Sequence, residues 1–344
     1  MPASALSLSL SALLLLAMVT FTNLAGFSQP VLTGSDQLMT QYESFRVHVA
    51  RDGHYDLAIL GNSVARKGVD IAVLLAELGE PRGAPLRAYN FAAGGVSSHT
   101  LPFAAKLLYA IDDPQDCVIV MTPDMIAEWS AESREWGEAI RDSPYGRALS
   151  DPVVWMGRAR RLLLDHVAIV GLRSTLRNRL LGTPDEPRET IGGYDPAMGY
   201  SDSPRRTGRG RSWAKARERF SSWELPEEKA RGSIEAIRIA QSHGARTWLA
   251  EAPLQPRVVA MVPDPVDGMR RARAAIRRIG AITGTPVLWL PSDLSFTAVD
   301  FLDARHLNVR GARRYTEWLA MALVEAGFDS PRRALESSSK HDGH

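Results

Sequence analysis

Short apolar runs alternate with helix-compatible segments along most of this chain, and that alternation limits what it can fold into. Short apolar runs bounded by turn formers read as buried strands. They fall at residues 57–60, 86–91, 117–122, 247–250 and 287–290. Helical patterns fall at 71–78, 101–111, 227–243, 268–282 and 309–326. Strands separated by helices are joined by crossovers, which makes the sheet parallel and covers both of its faces. The expectation is an α/β chain with a central parallel sheet. At 344 residues and 45% apolar content it has ample length for a buried core.

Three stretches fall outside this rhythm. Residues 5–27 carry no charge, with Leu13-Leu14-Leu15-Leu16 at their centre, and the first Lys or Arg of the chain is Arg46. About 20 apolar residues span a bilayer as a helix. Residues 1–28 therefore read as a membrane anchor or a cleaved signal segment, with a buried core helix as the bland alternative. The missing basic n-region favours a retained anchor. Residues 28–55 read as a polar segment leading from the anchor to the first strand. Residues 130–225 read as a helical and flexible insertion. Within it, 153–181 is amphipathic and carries Arg158, Arg160, Arg161, Arg173, Arg177 and Arg179. Residues 182–212 are rich in Gly, Pro, Ser and Arg, as in a loop. The boundaries expected are 1–28 for the anchor or signal, 29–334 for the α/β domain with its insertion, and 335–344 for a disordered tail.

The run at 57–60 ends in Gly61-Asn62-Ser63. A serine at the carboxyl end of a strand lies where open α/β sheets bind their ligands. A helix starting there turns N–H groups and partial positive charge toward it. That suits a nucleophile whose reaction develops an oxyanion; the same tripeptide is also a good turn and helix cap. A serine nucleophile needs a base, and the base needs an orienting group. Asp303-Ala304-Arg305-His306 offers both, because Asp and His three residues apart on a turn can converge. Asn308 reads separately as a helix N-cap. The third piece is Tyr89-Asn90-Phe91-Ala92-Ala93-Gly94-Gly95, a strand running into a glycine turn. A glycine there can present its N–H to an oxyanion. Cys117, the single cysteine, excludes an internal disulfide and a thiolate-built metal site, and reads as a buried small hydrophobe. A net charge of +2 gives no call for nucleic acid.

These three pieces, in this order, resemble the blocks of the SGNH (GDSL-like) hydrolase superfamily. Gly61-Asn62-Ser63 resembles the nucleophile block, with Asn62 replacing the usual Asp. The segment from Asn90 to Gly95 resembles the block that supplies an oxyanion donor, and Asp303 with His306 resembles the final Asp-x-x-His. The block after the third strand departs: Met121-Thr122-Pro123-Asp124 has Pro123 where the family places an oxyanion-donating Asn. The resemblance covers roughly residues 55–125 and 245–327. It implies a flavodoxin-like three-layer sandwich, Ser63, Asp303 and His306 as catalytic residues, and Gly95 and Asn90 as oxyanion or substrate-binding residues. It implies no metal and no organic cofactor.

With its apolar N-terminus and long insertion, the chain is similar to the membrane-anchored branch of that superfamily, which includes D-alanyl transfer and exopolysaccharide O-acetylation proteins. That implies a serine-dependent acyl ester hydrolase or O-acyltransferase acting on a cell-envelope or secreted polysaccharide. Its partners are then an acylated small molecule or polysaccharide and a membrane-bound O-acyltransferase. Its catalytic domain is held outside the cytoplasm by the N-terminal helix, or is released to the periplasm or medium after signal cleavage. The rival reading is a catalytically impaired domain that binds polysaccharide or scaffolds an acetylation complex, with Pro123 as its support.

Overall fold

The computed structural model describes residues 32–79, 85–126, 213, 214, 216, 217, 220 and 227–328. The expected anchor, most of the 130–225 insertion with its arginines, and the tail from 335 lie outside the described residues. No helix among the described residues is long and apolar enough to cross a membrane.

The elements in chain order are α1 (Leu32–Asp52), β1 (Leu57–Leu60), α2 (Ser63–Gly68), α3 (Ile71–Leu78), β2 (Ala88–Asn90), α4 (Leu101–Tyr109), β3 (Asp116–Met121), α5 (Pro123–Ile126), α6 (Glu227–Ser242), β4 (Arg246–Glu251), α7 (Pro256–Val259), α8 (Pro265–Thr283), β5 (Val287–Leu288) and α9 (Val309–Glu325). Among the described residues the strands form a five-stranded sheet in the order β2-β1-β3-β4-β5. Every pairing is parallel. The order reverses at β1 and β3, which places a topological switch point beside the end of β1.

Side-chain alternation builds three layers. Leu57 and Ile59 of β1, Val118 and Val120 of β3, and Trp248 and Ala250 of β4 pack with α2, α3 and α9. Ala58 and Leu60, Cys117, Ile119 and Met121, and Leu249 pack on the opposite face with α1, α4, α6 and α8. The buried positions of α9, Ala312, Tyr315, Leu319 and Leu323, recur every three or four residues, as a one-sided helix requires. Cys117 is buried in this core, where burial pushes its thiol up to about 12.

Residues 28–55 differ from the expected polar segment. They contain α1, whose Leu38, Tyr42 and Phe45 are buried against the sheet. The Phe45 ring lies 4.6 Å from that of Tyr89 and 5.4 Å from that of Phe91. The spacing i, i+4, i+7 is helical, but the stripe is thin and the residues around it are polar. The fifth strand is shorter than the apolar run at 287–290: Leu290 N–H donates to the Glu251 side chain instead of extending the ladder.

Candidate active site

Because all strands are parallel, every segment carrying a candidate residue leaves the carboxyl edge of the sheet. The chain leaves β1 through Gly61 at φ +156°. A Cβ there would stand 2.6 Å from Ala65 Cβ and 3.1 Å from the Val120 carbonyl, so glycine is required. Asn62 caps α2: its Oδ1 accepts from Val64 N–H at 2.8 Å, and its Nδ2 donates to Thr122 Oγ1 at 3.0 Å. Ser63 follows as the first residue of α2. Its position is therefore set by a cap, a glycine and a buried threonine at the end of β3.

The segment between β5 and α9 brings the other two groups to it. His306 Nε2 lies 2.9 Å from Ser63 Oγ. His306 Nδ1 lies 2.8 Å from Asp303 Oδ2 and 3.0 Å from Oδ1. The backbone N–H groups of Arg305 and His306 each donate to Asp303 Oδ1 at 2.9 Å. The structure thus joins the serine, histidine and aspartate singled out in the sequence in one hydrogen-bonded chain. Asn308, the expected N-cap of α9, accepts from Gly311 N–H at 2.9 Å.

The electrostatics assign the protons. Burial alone would raise the Asp303 carboxyl, but the hydrogen bond and charge of His306 and the two backbone N–H donors outweigh it and hold it well below the usual carboxylate range. An ionised Asp303 only accepts, so the imidazole proton sits on Nδ1 and Nε2 is left to accept from the Ser63 hydroxyl. Burial also lowers the His306 pKa below its ordinary 6.5; Asp303 opposes this, while Lys67 and Arg305 reinforce it. The neutral imidazole is the form this site favours near neutral pH.

Asn90 behaves differently from the expectation. It is buried, and its Nδ2 faces the carbonyls of Val69, Ala65 and Arg66 at 3.0, 3.2 and 3.4 Å. Its Oδ1 accepts from Ala92 N–H at 3.1 Å, and its own carbonyl accepts from Gln41. A side chain so engaged brackets the end of β2 to α2 and its C-cap and has no hydrogen left for an oxyanion. Gly95 lies in the exposed turn beyond, at φ +82°. That turn is tied to the nucleophile segment through Ala93 N–H, which donates to the Gly61 carbonyl at 3.2 Å. Pro123 opens α5, where a missing N–H breaks no helical bond. Among the described residues no group of three or more His, Cys, Asp or Glu side chains could hold a metal ion.

Three contributors were not singled out in the sequence. Thr122 holds Asn62, and nothing local announces a contact across two strands. Lys67 and Arg305 bias His306; Lys67 had a signal in its spacing, four residues and one helical turn after Ser63.

The sequence matches no family model and no curated protein. Among solved structures, one described as "Crystal Structure of TesA" is similar at 13% sequence identity and a TM-score of 0.35, covering 78% of this chain and 97% of that one. A likeness of that size leaves the reading of this chain to its own geometry.

Proposed function

We propose that the chain is an SGNH-type serine esterase or O-acyltransferase that works through an acyl-enzyme on Ser63. The observation that carries the reading is the imidazole of His306 bridging Ser63 Oγ at 2.9 Å and Asp303 Oδ2 at 2.8 Å. Ser63 Oγ attacks the acyl carbonyl carbon as its proton passes to His306 Nε2. The imidazolium formed is stabilised by ionised Asp303. The tetrahedral intermediate collapses by breaking the bond from the acyl carbon to the leaving oxygen, which takes the proton from Nε2. Water or a sugar hydroxyl then attacks the acyl-enzyme by the same steps, with His306 as base and Ser63 as leaving group. The backbone N–H groups of Ser63 and Gly95 are the oxyanion donors in this reading. With Pro123 unable to donate and Asn90 engaged elsewhere, the hole has fewer donors than the superfamily pattern supplies. One missing donor typically costs about 10²–10³ in rate.

The finer elements of the reading rest on the superfamily resemblance: an acylated cell-envelope or secreted polysaccharide as substrate, a membrane-bound O-acyltransferase as partner, and an N-terminal anchor holding the domain outside the cytoplasm. The engaged Asn90 and the Pro123 position favour a second reading, a domain that binds polysaccharide or scaffolds acetylation without turnover.

The two separate on intact-mass spectrometry of the full chain after exposure to an activated acetyl ester. An acetyl adduct mapped to Ser63, abolished in Ser63→Ala and formed far more slowly in His306→Ala, is expected. A folded protein that takes no acetyl group and turns over no ester overturns the enzymatic reading. With the adduct in hand, loss of acetyl to added sugar hydroxyls faster than to water identifies transfer.

A further inference from the structure

The loop carrying Asp303 and His306 is closed on itself and fastened at its foot by one buried carboxylate. Leu302 N–H donates to the His306 carbonyl at 2.8 Å, and Phe301 bridges Leu307. At the foot, Asn308 N–H donates to the Asp300 carbonyl at 3.0 Å, and Asn308 Nδ2 donates to the Val299 carbonyl at 2.7 Å. The Asp300 side chain has no solvent exposure. Its Oδ2 accepts from Thr297 N–H at 2.9 Å, from Thr297 Oγ1 at 3.3 Å and from Arg314 Nη1 at 2.9 Å. Arg310 Nε stands 3.3 Å from its Oδ1. Arg314 also donates Nη2 to the Ser295 carbonyl at 3.2 Å, and its guanidinium lies over the Phe296 ring, 5.1 Å from the centroid. Both arginines belong to the start of α9, the helix that begins two residues after Leu307.

The carboxylate is buried while the Arg314 side chain keeps about a third of its surface in solvent (32%), so the pair adds little net stability. What it supplies is geometry. Two hydrogen-bond donors on one planar guanidinium fix the 295–300 segment to α9, and the 301–307 loop is the only chain between those two anchors. The Nε2 to Oγ contact of 2.9 Å has little tolerance, since a displacement of about 1 Å at a reacting geometry can cost about 10²-fold in rate.

We propose that Asp300 and Arg314 are a positioning pair: from the root of α9 they hold the loop so that the His306 imidazole stays within hydrogen-bonding reach of Ser63 Oγ. Neither residue touches the reacting atoms; they act through His306. The proposal rests on the acyl-transfer reading of Ser63, His306 and Asp303.

The test uses the full chain as wild type, Arg314→Gln and Arg314→Lys, each alone and combined with His306→Ala. Acylation of Ser63 by an activated acetyl ester is followed by intact mass. The His306 imidazole is titrated by NMR, with Ser63 and Lys67 from α2 and Asp303 and Arg305 from its own loop as the groups facing it. Arg314→Gln is expected to slow acylation roughly 10- to 100-fold at an unchanged half-saturating ester concentration. Arg314→Lys restores part of the rate, and Arg314→Gln adds no further loss in the His306→Ala background. The imidazole midpoint moves up toward 6.5 as water reaches the ring. A folded Arg314→Gln protein with wild-type rate and wild-type midpoint overturns the proposal. So does a loss that multiplies with that of His306→Ala. If the wild type takes no acetyl group at Ser63, the acyl-transfer reading falls, and the imidazole midpoint alone decides: unmoved, it overturns the pair as well. Should Arg314→Gln not fold, Asp300→Asn is read by the same criteria.

Discussion

The proton of His306 decides what the site does at a given pH. Only the neutral imidazole can take the Ser63 proton, and burial holds its pKa below 6.5. The acylation rate of Ser63 is therefore expected to rise to half its maximum at a pH below 6.5 and to stay flat through about pH 7 to 8. A rate–pH profile with its midpoint at or above 6.5 contradicts that placement of the charge. Stability carries the same sign. Between the folded pKa of His306 and 6.5 the unfolded chain binds more protons, so this residue's contribution falls as the pH falls through that window. Asp303 acts lower still: its depressed folded pKa contributes stability above its ordinary 3.8, lost as the pH drops toward the folded value. Gly61 sets the other half of the contact. Gly61→Ala combines a disallowed φ with a 2.6 Å overlap on Ala65, and is expected to lower stability by about 1–3 kcal/mol in denaturant unfolding. Ser63 and the Asp-x-x-His were legible as residues because their chemistry is encoded in type and short spacing. That Asn90 is a bracket was not legible, because its three carbonyl partners lie in α2 and at its C-cap, more than twenty residues earlier.

The strands and the α3, α4, α6, α8 and α9 helices lie within a few residues of their positions in the hydrophobic pattern, since each buries a continuous apolar face. The exception was α1, whose core contribution is compressed into Leu38, Tyr42 and Phe45 among polar residues. A helix of that kind belongs to the domain through a few large side chains, which makes the claim easy to test. Phe45 is fully buried and packs on Tyr55, Tyr89 and Phe91. Phe45→Ala is expected to cost about 3–5 kcal/mol of unfolding free energy, the range for a core aromatic. A polar lead-in segment outside the core, as the sequence first reads, would lose almost nothing. The same logic explains why the Asp300 and Arg314 pair was hidden. Its partners come from a turn and a helix, and neither has a periodicity that announces a contact with the other.

Across the whole molecule, the parallel sheet separates two kinds of polar site. The carboxyl edge holds Ser63, Asp303, His306 and the Gly95 turn. The amino edge holds polar pairs that fasten the strand starts and the loops entering them: Arg246 at the start of β4 forms two bonds to Asp116 at the start of β3, at 2.7 and 3.1 Å, and His54 Nδ1 lies 2.6 Å from Asp112. Asp112 is buried, accepts from Tyr55 N–H at 2.8 Å and Asp113 N–H at 3.0 Å, and so ties the start of β1 to the loop before β3. If function lives at one edge and anchoring at the other, the two separate by mutation. Asp112→Ala leaves the Tyr55 N–H without its carboxylate and is expected to lower stability by about 1–3 kcal/mol. The His54 pKa, raised chiefly by its hydrogen bond to Asp112, should return toward 6.5 in the same protein. Acylation of Ser63, measured well below the melting temperature, should stay at the wild-type rate. Loss of acylation in proportion to loss of stability would instead mean that the sheet transmits strain from one edge to the other, and that the carboxyl-edge geometry depends on the whole fold rather than on its own loops.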